Sequence, residues 1–241
     1  MALLRGARRR MCMLLALGSL AMSLAQAAPL NFAVSADDRF SKTMAQRVLS
    51  AAYKELGLEL AFTPLPIRRG YAQAEAGEVD GLGMSVTLEL APSLLRVEVP
   101  ISYEETAVWA QNKDFVPNGF ASLQPFVIGH LAGVRYFEHR LQGMRTDPAP
   151  SLEALFRKLE LGRTEVVAES RFNGCLVKQL GLQKVVVLQP SLEVLPAYHF
   201  LHNKHAALVP RITAVLRKME ADGSIRKIQT QALREYQAQC G

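Results

Sequence analysis

The chain has 241 residues, with 28 Lys and Arg against 22 Asp and Glu, 49% hydrophobic residues and 3 Cys. This composition excludes a disordered chain, a collagen-like fibre and a small scaffold held together by disulfides. The length is sufficient for two α/β units of about 100 residues each, which is a usual domain size.

The first 27 residues have the three parts of a secretory signal peptide. Basic residues (Arg5 and Arg8 to Arg10) precede an uncharged, mostly apolar stretch at 11–25, and Ala25-Gln26-Ala27 provides a small-residue cleavage site. The apolar stretch is shorter than the roughly 20 residues that span a bilayer. We therefore expect export, cleavage after Ala27 and a mature protein in the periplasm.

The expected mature chain is nearly neutral. The leader contains four Arg and no acidic residue, so its removal leaves 24 basic and 22 acidic residues, a formal charge of +2 in place of +6. This charge provides no case for a nucleic-acid partner. Beyond residue 27 no uncharged apolar run approaches membrane-spanning length. We expect a monomer that does not span the membrane.

Two cysteines remain after cleavage, Cys175 and Cys240. Cys12 lies before the end of the apolar stretch, which is too early for the lipidated cysteine of a lipoprotein. An oxidising compartment allows Cys175 and Cys240 to form a disulfide. The alternative is two buried or free thiols, and the sequence leaves both open.

The mature chain begins with alternating strands and helices. Strands are predicted at 30–35, 58–66 and 80–85, and helices at 41–55 and 68–76. Ser41 is the expected N-cap of the first helix, and the helix has an apolar stripe at helical spacing. This order of elements predicts a mostly parallel α/β sheet.

The rest of the chain predicts a second unit of the same kind. Strands at 94–101 and 106–111 lead to the polar, turn-rich segment 112–119, a crossing point between domains. Later strands are predicted at 126–129, 165–168 and 184–188, and helices at 134–141, 151–161 with Ser151 as N-cap, 174–180, 207–221 and 224–237. Ligands bind at the carboxyl ends of strands in such sheets, so two facing units form a cleft.

Four stretches of the mature chain have the order and spacing of one known family. They are LPIRRGYAQAEAGEVDG at 65–81, SLLRVEVPISYEE at 93–105, LEALFRKLELGRTEVVAES at 152–170 and YHFLHNKHAALVPRITAVLRKMEADGSIRKI at 198–228. The chain resembles the type 2 periplasmic solute-binding proteins, in the branch of polar amino-acid-binding proteins of ABC importers. The resemblance implies an α/β fold with two lobes, a two-crossing hinge and a ligand cleft between the lobes.

The resemblance also implies lobe boundaries and a function. The first lobe is expected at 28–112 and 197–241, and the second at 113–196. Hinge closure is expected to trap a small polar or anionic solute, amino-acid-like or a carboxylate, for an ABC permease in the inner membrane. One departure stands out: Thr87-Leu88-Glu89 is followed by Leu90, where the amino-acid-binding branch has an Arg that binds the ligand α-carboxylate. A standard α-amino-acid pocket is therefore not implied.

Basic residues near helix starts are candidate ligands for an anionic group. Arg68 and Arg69 follow the second strand, where an Arg can form a bidentate pair with a carboxylate. Consecutive side chains diverge on a helix, so at most one of the two is expected to serve the cleft. Arg135 follows Gly133 at a strand-to-helix turn, whose N–H groups can receive an anion. For Arg68 and Arg69 the alternative is an exposed charge or a structural pair with Asp80, and for the glycines before Arg135 it is an ordinary turn.

The other candidate ligand-binding residues lie on strands or at their ends. Asp37 and Arg39 follow the first strand, with loop solvation and helix capping as the alternative. Glu169 occupies the position at which the resembled amino-acid binders hold the ligand ammonium, and Arg171 follows it. The expected first-lobe strands contribute three more side chains, of which the aromatic ones can equally pack in a core: Ser85, Tyr103 and Trp109.

The sequence predicts neither a metal nor a cofactor. His199 and His202 fall on a predicted strand at an odd offset, which directs them to opposite faces. His205 resembles an ordinary residue of the family's closing segment. We therefore expect no metal site among these histidines.

Two alternative functions remain open. Motifs of hydrolases and nucleotide-binding enzymes are absent from the sequence. An exported dehydratase of the same fold, acting on a cyclohexadienyl- or prephenate-like substrate, needs only an acid such as Glu169 or the Glu104–Glu105 pair. The second alternative is a ligand-sensing lobe for a membrane signalling partner.

Overall fold

The computed structural model describes residues 28–37, 39–86, 91–112 and 114–240, with Arg39 described by its backbone alone. The predicted signal peptide at 1–27 and the run from Thr87 to Leu90 lie outside these ranges. Within them the chain forms seven α-helices, three short 3-10 helices and a nine-stranded sheet. None of the described helices is long and apolar enough to cross a membrane.

The first part of the chain forms three parallel strands and two helices. Their bounds are β1 Leu30–Ser35, α1 Arg39–Glu55, β2 Leu60–Leu65, α2 Ile67–Glu75 and β3 Gly81–Ser85. β1 lies between β2 and β3 and pairs with both in parallel. The predicted βαβ order is therefore confirmed.

The start of α1 differs from the prediction. The helix begins at Arg39, so Ser41 is its third residue and the predicted N-cap is wrong. Ser41 is buried, and its Oγ donates a hydrogen bond to Glu104 Oε1 at 2.5 Å. A tertiary partner has thus taken the hydroxyl that the sequence pattern assigned to local capping.

One long strand replaces two predicted strands. β4 spans Leu94–Gln111 without a break, where strands at 94–101 and 106–111 were expected. It pairs with the strand at Glu193–His202, and the register of this pairing shifts on both sides of Pro100. Proline has no N–H to donate to a neighbouring strand, which accounts for an irregularity at this point.

The next segment forms a second parallel group. Its bounds are β5 Ile128–Leu131, α3 Arg135–Arg140, β6 Thr146–Ala149, α4 Leu152–Glu160, β7 Val166–Ser170 and α5 Gly174–Gln179. β5 lies between β6 and β7 and pairs with both in parallel. Ser151 is the N-cap of α4 as predicted, and its Oγ accepts a hydrogen bond from Ala154 N–H at 3.2 Å. β6 was not predicted.

The last elements join the two groups. They are β8 Val185–Val187, β9 Glu193–His202, α6 Val209–Ala221 and α7 Ser224–Ala238. β9 pairs antiparallel with β3 and β4, and β4 pairs antiparallel with β7. The strand order is β2-β1-β3-β9-β4-β7-β5-β6, with β8 on β4. We call β1–β3 with α1 and α2 the first half, and β5–β7 with α3–α5 the second half.

Each half has its own buried core. In the first half α1 buries Met44, Val48 and Leu49 in a cluster that includes residues of α6 and α7. In the second half Trp109 packs against Phe156, with ring centroids 5.4 Å apart. The far end of β4, which includes Trp109, pairs with β7 and lies in this second core.

A disulfide joins Cys175 in α5 to Cys240 beyond the end of α7. The two Cα atoms are 5.0 Å apart, and the cysteines are 65 residues apart in sequence. Nearby, Tyr236 of α7 donates a hydrogen bond from its hydroxyl to the Phe172 carbonyl oxygen at 2.8 Å. The C-terminal helix is thereby fixed to the second half as well as packed on the first.

Reduction of this disulfide should lower the stability of the protein measurably. A closed loop of this length limits the unfolded chain, and the loop-entropy model gives about 4 kcal/mol. We expect the oxidised mature protein to melt higher than the same protein in reductant, and to weigh about 2 Da less by intact-mass spectrometry. The Cys175→Ser/Cys240→Ser variant should not respond to reductant. Two titratable thiols in protein recovered from the periplasm would contradict the bond.

His199 is a fully buried part of the first core. Its Nδ1 lies 2.8 Å from the Leu82 carbonyl oxygen, which can only accept, so Nδ1 carries the proton. Nε2 then accepts a hydrogen bond from the Tyr53 hydroxyl at 2.8 Å. Burial lowers the pKa of His199 to about 4.

His205 lies elsewhere, with its Nε2 2.6 Å from Asp80 Oδ1. Among the described residues, no group of three or more His, Cys, Asp or Glu side chains is arranged to hold a metal ion.

The His199 environment predicts acid sensitivity. The folded pKa of about 4 lies below the ordinary value of 6.5 that applies in the unfolded chain. Between these two pH values the unfolded state binds more protons, so the free energy of unfolding should fall as the pH falls from about 6.5 to about 4. Urea unfolding across this range should show a smaller slope for His199→Gln, whereas exposed His139→Gln should match the wild type. Equal slopes for all three proteins would contradict this assignment.

Candidate functional site

A cavity of about 160 Å³ lies between the two halves. It is lined from the first half by the carboxyl ends of β1 and β3, at Ser35 and Ser85. From the second half it is lined by the carboxyl ends of β5 and β7, at Leu131 and Ser170. This is where ligands bind in open α/β sheets. A cavity of this volume holds a molecule about the size of benzene.

The cavity has an apolar wall with hydroxyl groups set into it. Leu65, Leu82 and Phe137 are among the apolar side chains that line it. The Tyr71 hydroxyl lies 3.0 Å from Ser85 Oγ, so these two groups bond to each other at the cavity wall. Such a mixture of apolar surface and a few fixed polar groups is typical of small-molecule sites.

Three carboxylates line the cavity. Glu104 accepts hydrogen bonds from Ser41 Oγ at 2.5 Å and from Ser170 Oγ at 3.5 Å. Glu169 is buried and accepts a hydrogen bond from the Ser170 N–H at 2.9 Å. Glu105 forms an ion pair with Arg171, whose Nε lies 2.5 Å from Glu105 Oε1. Among the described lining residues there is no Arg, Lys or His.

Two reciprocal ion pairs connect α2 of the first half to α3 of the second. Arg68 of α2 lies 2.6 Å from Glu138 of α3, and Arg135 of α3 lies 2.7 Å from Glu75 of α2. The hydrogen bond to Glu75 raises the pKa of Arg135, and its guanidinium lies 4.8 Å from the centre of the Tyr71 ring. These pairs hold the two halves together at one side of the cavity.

Gly133 makes this close approach of the halves sterically feasible. Its φ of +86° is in the left-handed region that glycine adopts without strain. A Cβ at this position would lie 2.5 Å from Arg68 Cγ of the first half. The Gly133 N–H donates a hydrogen bond to Glu138 Oε1 at 3.2 Å, so the carboxylate that binds Arg68 also occupies this N–H group.

Asp37 is a further contact between the halves. Burial raises the pKa of Asp37, while a hydrogen bond from the Leu152 backbone N–H and the charge of Lys42 oppose that shift. Leu152 is the first residue of α4, so a carboxylate from the first half lies at the N-terminus of a helix in the second half. Helix N-termini favour negative charge, and this one already has it.

The structure brings Ser85 and Glu169 together in the cavity lining, and these are the predicted site residues that it places there. Four others lie around the cavity in pairs with groups of the chain itself: Asp37, Arg68, Arg135 and Arg171. Trp109 is 3% exposed in the second core, where its Nε1 donates to the Ser170 carbonyl oxygen at 3.2 Å.

The remaining three predicted residues belong neither to the described lining nor to the contacts just described. Tyr103 is 54% exposed, and Arg69 is exposed on α2. Arg39 begins α1, but its side chain lies outside the described part of the structure. Sequence reasoning considered Glu104 only as an acid–base group and missed lining residues such as Ser41, Tyr71 and Asn173. Ser41 and Tyr71 lie on predicted helices and Asn173 lies outside any predicted element, so no local sequence pattern indicated that these residues line a site.

Comparisons with known proteins support the fold. No model of a known protein family matches the chain. An uncharacterized protein of Shewanella oneidensis is 21% identical over 203 residues, which cover 80% of this chain and 77% of that protein. The chain is also similar to the crystal structure of a histidine kinase sensor domain with similarity to periplasmic binding proteins. The TM-score is 0.73 at 16% identity, and the match covers 86% of this chain and 97% of that one.

Two further solved structures are binding proteins with arginine bound. An ancestral arginine-binding protein matches at a TM-score of 0.71 and 17% identity, covering 86% of this chain and 98% of that one. An amino acid ABC transporter substrate-binding protein from Streptococcus pneumoniae matches at a TM-score of 0.68 and 15% identity, covering 86% of this chain and 95% of that one. These likenesses confirm the predicted fold class, which is that of the type 2 periplasmic binding proteins.

The α2–α3 ion pairs should show measurable coupling. The Arg135–Glu75 side chains are 40% and 24% exposed, so a double-mutant cycle with Arg135→Gln and Glu75→Gln should give roughly 0.5–1 kcal/mol in urea unfolding. The Arg68–Glu138 pair, whose Arg is 75% exposed, should give less. A coupling indistinguishable from zero for Arg135–Glu75 would contradict a closed arrangement in solution.

Proposed function

We propose that this chain is a periplasmic solute-binding protein that captures one small molecule between two lobes and presents it to an ABC-type permease. The observation that carries the proposal is the cavity between the halves, which reciprocal ion pairs close on one side. The proposed lobes follow the expected bounds, 28–112 with 197–241 and 113–196, except at the end of β4. β4 and β9 are shared by both halves, so we place the hinge crossings within them, and the end of β4 that pairs with β7, including Trp109, then belongs to the second lobe.

The proposed mechanism follows from the way the cavity is built. Each half supplies only part of its lining, so a ligand makes all of its contacts only when the halves meet. Contacts between α2 and α3 form in the same movement, and they add to the stability of the closed state. Similar chains that bind arginine support binding in place of catalysis.

A sensing lobe is the second candidate function. It is favoured by one observation, the similarity to a histidine kinase sensor domain over 86% of this chain. Capture and closure are the same in both functions, and the difference lies in the membrane partner. Co-purification from membranes in the presence of ligand would separate a permease complex from a complex with a signalling protein.

Binding should be detectable as a rise in melting temperature. The test panel contains amino acids, amines, small carboxylates and aromatic-pathway acids, each added to the mature protein. A ligand at 100 times its dissociation constant adds about 2.7 kcal/mol, which is roughly 5–10 °C for a chain of this size. A panel without any shift on a folded protein would contradict the proposed function.

The closure step has a matched pair of variants. Gly133→Ala places a Cβ against Arg68 of the other half, whereas the Cβ of Gly143→Ala, at a similar φ of +80°, meets nothing within 4 Å. Both variants introduce the same kind of backbone strain. If closure is required, the ligand-induced shift should fall for Gly133→Ala alone. An equal loss in both would leave closure without support.

A further inference from the structure

We propose that the ligand presents an uncharged oxygen acceptor, such as the carbonyl of an amide or a ketone, to Asn173, and that it has no carboxylate. This inference rests on the proposed function and specifies the chemistry of the same cavity. It departs from the expectation of an anionic or amino-acid-like solute.

Asn173 lies in the lining of the cavity, directly before α5. The residue is 7% exposed, and its Nδ2 has no hydrogen-bond partner among the described residues. An asparagine before a helix commonly caps it, but the Asn173 side chain makes no capping bond to α5. Most buried polar groups are bonded in a native protein, so this amide indicates a partner supplied from outside the chain.

The chemistry of the amide nitrogen determines what that partner is. Nδ2 has N–H groups and no acceptor position, so it requires an acceptor from the ligand. A carbonyl oxygen has lone pairs and no hydrogen, so it bonds to this nitrogen without needing an acceptor in return. An ammonium group is a donor only and would leave Nδ2 without a partner.

The charges around the cavity favour an uncharged acceptor over a carboxylate. Glu104, Glu105 and Glu169 line the cavity, and no Arg, Lys or His belongs to its described lining. Like charges repel each other at short distance, and the repulsion is stronger in a site that excludes water. A carboxylate beside Asn173 would therefore enter a cavity whose charged lining groups are acidic.

The donors near the cavity that suit an anion already have partners in the chain. Arg68 and the Gly133 N–H both bind Glu138. The Leu152 N–H at the start of α4 donates to Asp37. Two further arginines near the cavity are paired with carboxylates in the same way, Arg135 and Arg171. A ligand carboxylate would have to displace one of these contacts to gain a charged partner, whereas a neutral carbonyl group does not need one.

The size and surface of the cavity limit the rest of the ligand. A volume of about 160 Å³ is close to that of a cavity that holds benzene, which has six non-hydrogen atoms. The apolar wall, including Leu65, Leu82 and Phe137, suits a hydrocarbon body. The expected ligand is a neutral carbonyl compound of about six to nine non-hydrogen atoms.

Two sets of matched compounds test this proposal by calorimetry on the mature protein. The first set is 4-methylpentanamide, 5-methylhexan-2-one, 4-methylpentanoate and 4-methylpentylamine, which share a branched carbon chain. The second set is benzamide, acetophenone, benzoate and benzylamine, which share a ring. The amide and the ketone of each set have an uncharged carbonyl oxygen, the acid has a charged group and the amine has no oxygen. In a set that binds, we expect the amide and the ketone to bind about tenfold or more tightly than the acid and the amine.

Asparagine variants locate the effect. Asn173→Leu removes the donor at similar volume, and Asn173→Asp replaces it with an acceptor, so each should weaken binding of the amide and the ketone by about tenfold. Asn203→Leu, the same change at an exposed asparagine outside the described lining, should leave binding unchanged. Unchanged binding in folded Asn173→Leu and Asn173→Asp would overturn the assignment.

The melting temperature without ligand separates a binding role from a structural one. Because Nδ2 makes no bond to the described residues, Asn173→Leu should melt no lower than the ligand-free wild type. A markedly lower melting temperature would indicate that the amide is bonded within the protein, which would also overturn the inference.

The outcomes separate this proposal from the proposed function. Tighter binding of the acid or the amine than of the amide and the ketone overturns the acceptor proposal and leaves solute binding intact. Binding of an amino acid, amine or carboxylate from the melting panel, with no compound of either set, has the same meaning. Absence of binding across both sets and the panel contradicts both proposals.

Discussion

Three arginines around the cavity pair with carboxylates of the chain itself, and the contact between the two halves depends on two of these pairs. Arg68 and Arg135 bind Glu138 and Glu75 across the two halves, and Arg171 binds Glu105 beside the cavity. Such pairs are individually weak at an exposed surface. Arg68 and Arg135, which the sequence suggested as ligand-binding residues, thus form contacts between the two halves, whereas Arg171 pairs beside the cavity.

The sheet provides the frame on which this pairing is built. β4 and β9 run through the centre of the sheet and connect two parallel groups, each with a separate core. The cavity therefore lies where two sets of strand ends face each other. The Cys175–Cys240 disulfide fixes the C-terminal helix to the second half, so α7 contacts both halves.

Much of the fold could be predicted from local patterns. Strand β1 at Leu30–Ser35 and the end of α1 at Glu55 follow from apolar spacing and flanking turn residues, which act over a few residues. β6 escaped prediction because its Thr146–Ala149 sequence contains Pro148 and no apolar alternation. The split of β4 was wrong because Tyr103, Glu104 and Glu105 look like a polar loop until β9 pairs with them.

The site was harder to predict, because its partners are distant in sequence. Glu169 was found through a family resemblance, whereas the contacts of Asp37 with Leu152 and of Arg68 with Glu138 depend on how two halves meet. No periodicity encodes such pairs.

The most direct measurement is a crystal structure of the protein with a compound that raises its melting temperature. We expect one molecule in the cavity between the halves, with α2 still paired with α3. A compound bound outside this cavity, or α2 and α3 apart in the complex, would contradict capture between the two halves.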